Sequence, residues 1–133
     1  MDTGLTVFNP TGDFIFEYKH YIPSFTSSST PYNSLWSIGV NASNGVLIGV
    51  EADQRKIRIY NRNNGSNSSI DMKTSAFSLN EWFTVQIKYE NGLWSVQVGE
   101  NVISYSKTFT PTFVHLNAGY ASTRLRDFKI KPL

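Results

Sequence analysis

Trp82-Phe83-Thr84-Val85-Gln86-Ile87-Lys88-Tyr89, then Glu90-Asn91-Gly92, then Leu93-Trp94-Ser95-Val96-Gln97-Val98-Gly99 is the stretch on which the fold turns. Bulky apolar and polar residues change places at every step, which is the period of a strand with one buried face and not the spacing of a helix. Asn91-Gly92 accepts positive φ at both positions and is the strongest short signal for a hairpin. Leu93 to Val98 is then the return strand, with Trp94, Val96 and Val98 as its inward set. A second turn at Gly99-Glu100-Asn101 leads into Val102 to Ser106, so Trp82 to Ser106 reads as a meander of strands.

The same period recurs on both sides. Phe14, Phe16 and Tyr18 alternate with Ile15, Glu17 and Lys19 in a strand from Asp13 to Tyr21. Leu35 to Val40 and Val46 to Glu51 form a hairpin about Asn41-Ala42-Ser43-Asn44-Gly45, and Lys56 to Asn61 follows after a tip at Gln54-Arg55. Ser24 to Asn33 and Arg62 to Ser69 read as polar loops, while Phe113 to Tyr120 and Arg124 to Lys131 close the sheet. Ser78-Leu79-Asn80-Glu81 has capping-box spacing, but no helical apolar run follows it, so it reads as a turn. About ten short strands with no helix, in 133 residues, imply a single domain over 1–133: all-β, an antiparallel two-sheet β-sandwich such as a jelly roll.

Composition excludes several classes. Cysteine is absent, which removes disulfides, thiol nucleophiles and Cys-ligated metals together. Lys and Arg number 12 against 10 Asp and Glu, and a net charge of +2 is too small for a dedicated nucleic-acid binder. Neither an apolar run of about 18 residues nor a basic-then-apolar leader is visible, so membrane insertion is not expected. Met1-Asp2-Thr3-Gly4 runs straight into domain-like sequence, which reads as a domain excised from a larger protein.

Trp82-x-x-Val85-x-Ile87, the Asn91-Gly92 hairpin, the strand after it and the Gly99 turn resemble the corresponding run of concanavalin A-like lectin/glucanase and laminin G-like domains. Ala121-Ser122-Thr123-Arg124-Leu125-Arg126-Asp127-Phe128-Lys129-Ile130 is similar to their last strand, which returns beside the first, here Phe14-Ile15-Phe16-Glu17-Tyr18. The resemblance implies a concanavalin A-like sandwich that binds a glycan or polysaccharide on one sheet or its rim loops. It is similar to accessory modules of phage tail and baseplate proteins, microbial adhesins and glycan-degrading enzymes. An extracellular, cell-surface or virion location follows from that likeness, with any oligomer formed through the parent protein.

Catalysis has no constellation to stand on. The glucanase branch sets its two carboxylates in a Glu-x-Asp-x-Glu or Glu-x-Asp-x-x-Glu cluster, because retaining hydrolysis needs them about 5 Å apart. Glu51-Ala52-Asp53-Gln54-Arg55-Lys56 lacks the second glutamate, and Glu51 and Asp53 read as a solvated strand end. His20 and His115 lack zinc spacing, the Asp residues are too scattered to indicate calcium, and no cofactor or metal is expected. Arg55, Lys56, Arg58 and Arg62 with Tyr60 read as a solvated face and not as a nucleic-acid site.

Sugar recognition uses flat rings with amides and charged groups around them. Parity directs Phe83, Val85, Ile87, Val114, Leu116 and Ala118 between the sheets and leaves Gln86, Lys88, His115 and Asn117 outside, along with Arg58 and Tyr60. Carbohydrate-binding candidates are therefore Arg58, Tyr60, Gln86, His115 and Asn117, with Tyr32 and Asn63 from the rim loops. Trp36 is kept among them, although its alternation with Ile38 and Val40 favours the core, as parity with Val96 and Val98 does for Trp94. The alternative is a structural or protein-interaction laminin G-like domain that binds no sugar.

Overall fold

A computed structural model describes residues 12–24, 34–117 and 123–133. Ten strands run through them: β1 (Phe14–Tyr21), β2 (Ser34–Asn41), β3 (Asn44–Glu51), β4 (Lys56–Asn63), β5 (Ser66–Lys73), β6 (Trp82–Glu90), β7 (Leu93–Val98), β8 (Asn101–Ser106), β9 (Phe113–Asn117) and β10 (Arg124–Pro132). They build two antiparallel five-stranded sheets, ordered β10-β1-β6-β7-β8 and β5-β4-β3-β2-β9. The last strand does return beside the first, with Phe14 opposite Pro132 and Tyr21 opposite Arg124. The all-β sandwich expected from the alternation is the fold observed.

The inward parity sets fill the space between the sheets. Phe14, Phe16 and Tyr18 of β1, Val85 and Ile87 of β6 and Trp94, Val96 and Val98 of β7 meet Trp36 and Ile38 of β2, Val46, Ile48 and Val50 of β3 and Ile57 and Ile59 of β4. Aromatic rings interlock there, Phe16 standing edge-on to Trp36 at 4.8 Å and Phe14 edge-on to Trp94 at 5.9 Å. A polar chain crosses the same core: His20 Nε2 lies 3.1 Å from Ser34 Oγ, which lies 3.4 Å from the Tyr18 hydroxyl, joining β1 of one sheet to β2 of the other.

Several local expectations are corrected. The polar stretch 62–69 is no loop: β4 continues to Asn63, turns at Asn64-Gly65 with φ of 50° and 80°, and returns as β5. β5 is an edge strand exposed along almost its whole length, so it carries no apolar period to reveal it. Val40, expected inward, is exposed, because the β2–β3 register shifts between Gly39 and Asn41. Glycine is required at that bulge, since a Cβ on Gly39 would collide with the Asn44 carbonyl and one on Gly45 with the Ile38 carbonyl. Ala118 lies outside the described residues.

β10 carries a second bulge. Glu17 of β1 faces Lys129 while Lys19 faces Arg126, so Tyr18 is opposed by two residues, and Asp127 takes φ of 59°. The extra residue restores the face pattern of the strand. Leu125 packs against the core and Phe128 stacks on Phe16 and Tyr18 at 6.0 and 5.6 Å, while Arg124, Arg126, Lys129 and Lys131 all take the outer face.

Candidate functional site

The outer face of the β5-β4-β3-β2-β9 sheet gathers four of the eight sequence-predicted candidates, Arg58, Tyr60, His115 and Asn117. Pairing registers place His115, Ser37, Leu47 and Tyr60 in one row across β9, β2, β3 and β4. Asn117, Leu35, Gly49 and Arg58 form the next row, and Phe113, Gly39, Gly45 and Arg62 the one beyond it on the other side. Adjacent strands lie about 4.8 Å apart, so each row of four strands spans about 14 Å across the sheet.

A cleft of about 360 Å³ opens on this face, lined by Leu35, Ser37, Ala42, Leu47, Arg62, Asn67, Phe113, His115 and Asn117. Its volume falls within the range of small-molecule sites. One wall is ring: Phe113 and His115, two residues apart on β9, stack with centroids 6.3 Å apart and planes 9° from parallel. The opposite wall is a guanidinium held in place, since Arg62 Nε donates to the Ala42 carbonyl at 2.8 Å and Nη1 to Asn67 Oδ1 at 2.8 Å. Leu47 supplies an apolar floor and Ser37 and Asn117 supply polar groups.

Beside the cleft lies a compact ionic cluster. Glu51 is nearly fully buried, with Lys56 Nζ 3.8 Å from Oε1 and Arg58 Nε 3.5 Å from Oε2. Arg58 Nη1 donates to the Tyr60 hydroxyl at 2.9 Å, and its guanidinium stands 5.4 Å from the centre of that ring. Burial raises the Glu51 carboxyl above its ordinary value, and the neighbouring Arg58 and Lys56 oppose that rise. The expectation of a solvated strand end therefore fails for Glu51, which is buried within ion-pair distance of Lys56 and Arg58 across the β3–β4 hairpin, and holds for Asp53, whose side chain is 59% exposed; Lys56, expected on a solvated face, is buried beside Glu51.

The candidates divide accordingly. His115 and Asn117 line the cleft. Arg58 and Tyr60 share the face, but Tyr60 is 7% exposed and engaged with Arg58, so it is not the open stacking platform expected of it. Asn63 is exposed at the end of β4, outside the cleft lining. Gln86 is corrected: β6 belongs to the opposite sheet, so its amide looks out from the other side of the sandwich. Trp36 is corrected too, being fully buried against Phe16 and Tyr18 in the core. Tyr32 lies outside the described residues. Sequence reading missed Arg62, Asn67, Leu47 and Phe113. Parity with His115 pointed to Phe113, whereas Arg62 and Asn67 were hidden in the stretch taken as loop.

Two stacked antiparallel five-stranded sheets, with a cleft on the outer face of one, make this chain a two-sheet β-sandwich. Solved structures agree on that fold. The carbohydrate binding module CBM66 from Bacillus subtilis superposes with a TM-score of 0.69 at 17% identity, over 91% of this chain and 76% of that one. Galectin-Ib from Xenopus laevis gives 0.69 at 15% identity over 98% of both chains, and a toad ovary galectin in complex with thio-digalactose gives 0.70 at 15% over 98% of both. At such identities the likeness is one of fold. No protein-family model and no curated protein sequence matches the chain.

Proposed function

We propose that this chain is a non-catalytic carbohydrate-binding module whose sugar seats in the cleft between β9 and the β4–β5 hairpin. The observation that carries the reading is the convergence of the Phe113–His115 ring stack, the anchored Arg62 guanidinium and the Asn67 and Asn117 amides around one small space. A ring takes the apolar face of a pyranose, and amides and guanidinium serve its hydroxyls. Solved relatives of this fold include a carbohydrate binding module and a galectin bound to thio-digalactose, which supports the same reading. Glu51, the carboxylate nearest to a glucanase pattern, is committed to Lys56 and Arg58, which argues against hydrolysis. The context that best suits such a module is host or surface adhesion, as part of an extracellular, cell-surface or virion protein.

Multivalent display of the domain on a glycan array tests this, with bacterial cell-wall polysaccharides included. Selective binding is expected, and His115→Ala and Arg62→Ala each reduce it by about tenfold or more, the loss of roughly 1.4 kcal/mol. Silence of the folded protein across the array overturns the reading in favour of a protein-interaction domain. Binding that both variants retain moves the sugar to another surface.

A further inference from the structure

The opposite face of the sandwich has a different chemistry. On the outer side of β10, β1 and β6 the registers place Arg124, Arg126, Lys129, Lys131, Lys19 and Lys88 together, facing Glu17 and Glu90 as the carboxylates of the same parity. Lys88 lies 3.9 Å from Glu90 and Arg126 lies 3.7 Å from Asp127. Lys19, Lys129, Lys131 and Arg124 have no carboxylate within ion-pair distance among the described residues. The clustering depends on the Asp127 bulge: strict alternation through β10 would turn Phe128 and Ile130 outward beside Arg126 and send Lys129 and Lys131 inward.

Two further features make this face a surface for a ligand and not merely a charged exterior. A depression of about 420 Å³ lies over it, lined by Ile15, Glu17, Gln86, Lys129, Ile130 and Lys131. At its far end Trp82 and Tyr21 lie with ring centroids 5.4 Å apart, Arg126 stands 3.8 Å over the Trp82 ring, and Arg124 stands 5.5 Å over that of Tyr21. A guanidinium lying over a ring keeps N–H donors with which to receive a carboxylate or sulfate. The cation row along β10 spans roughly 20 Å at about 3.3 Å per residue, a length that takes several sugar units.

We infer that this second face binds an acidic polysaccharide, its carboxylate or sulfate groups meeting the Lys129/Lys131 and Arg124/Arg126 pairs and its hydroxyls meeting Gln86. Arg126, 3.8 Å over Trp82, occupies one face on which a base would stack, which disfavours nucleic acid. The site shares no residue with the cleft on the other sheet and stands or falls separately from it.

Affinity electrophoresis of the domain through gels containing polygalacturonate, dextran sulfate or neutral dextran tests the proposal, with duplex DNA and phosphatidylserine vesicles as competitors. Retardation by the acidic polymers and none by neutral dextran is expected, with affinity falling as salt rises. The fourfold variant Arg124→Gln, Arg126→Gln, Lys129→Gln, Lys131→Gln loses at least about tenfold in affinity. The Lys129→Gln, Lys131→Gln pair alone shows a partial loss, and a melting temperature near wild type certifies each fold. Arg62→Ala and His115→Ala leave this binding unchanged. Absence of retardation for the wild type, retention by the fourfold variant, or tighter binding to DNA or vesicles than to the acidic polymers overturns the assignment.

Discussion

His20 shows how much a single side chain can tie to pH. It is fully buried, with its ring stacked on Phe83 at 5.3 Å and Nε2 against Ser34, and burial pushes its pKa down from the usual 6.5 to about 3. Below pH 6.5 the unfolded chain takes up a proton that the folded one refuses, so this group's contribution to stability is complete above that value and is lost as pH falls toward 3. At about 1.4 kcal/mol per pH unit, stability drops by roughly 3 kcal/mol between pH 6.5 and 4 from this residue alone. Thermal melts between pH 7 and 4 read the effect, and the slope is expected to flatten in His20→Gln. An equally steep slope in the variant would assign the acid sensitivity to other groups. Among the residues lining the cleft, His115 and Asn117 were legible at this scale because two-residue parity alone sets which side of a strand a residue takes. Trp36 was not a groove residue for the same reason, since it shares parity with Ile38 in the core.

At the scale of elements, the β10 bulge depends on one residue in left-handed backbone conformation. Asp127 holds φ of 59°, a region that Asp tolerates and β-branched residues resist. Asp127→Val is expected to cost on the order of 1–3 kcal/mol, while Asp127→Gly stays near wild type. Denaturant titration of the two separates backbone strain from loss of the carboxylate, because equal destabilisation would locate the effect in the charge. Strands with a buried face were readable in the sequence because burial demands alternation; β5 and the bulges were not, for physical reasons. β5 buries nothing, and its pairing rests on backbone hydrogen bonds to β4, which leave no trace in residue type. The bulges are choices of register made by the partner strand. Missing β5 hid Asn67, and with it one wall of the cleft.

Across the whole molecule the two sheets are joined by more than apolar packing. Lys107, beyond the end of β8, sends its ammonium to the Gly45 carbonyl at 3.0 Å, the Asn61 side chain at 2.5 Å and the Arg62 carbonyl at 3.3 Å, while its own carbonyl accepts from Trp94 Nε1 at 2.9 Å. Desolvation lowers its pKa, as expected for an amine whose hydration is replaced by protein acceptors. Lys107→Met leaves those acceptors without their donor and is expected to cost about 2–3 kcal/mol. Chemical denaturation followed by tryptophan fluorescence and by far-ultraviolet circular dichroism checks this. Coincident curves for the wild type indicate that the sheets unfold as one unit. Asp71 of β5 performs a related task, its Oδ2 accepting at 3.1 Å from the backbone amide of Ser104 of β8, three residues before Lys107. The register slip beside Ile70 gives Asp71 the inward parity of Ile59, from which it reaches across.

Among the described residues β10 borders its sheet, and a border strand would ordinarily offer backbone groups to any extended chain nearby. The irregular register at Asp127 interrupts that row of donors and acceptors, and the cations beside it repel an identical strand brought alongside. Copies of the domain crowded together, as on a polysome or during refolding at high concentration, are thereby kept from zipping into one another along this border. The feature that orients the charged face thus also serves as a guard against amyloid-like growth.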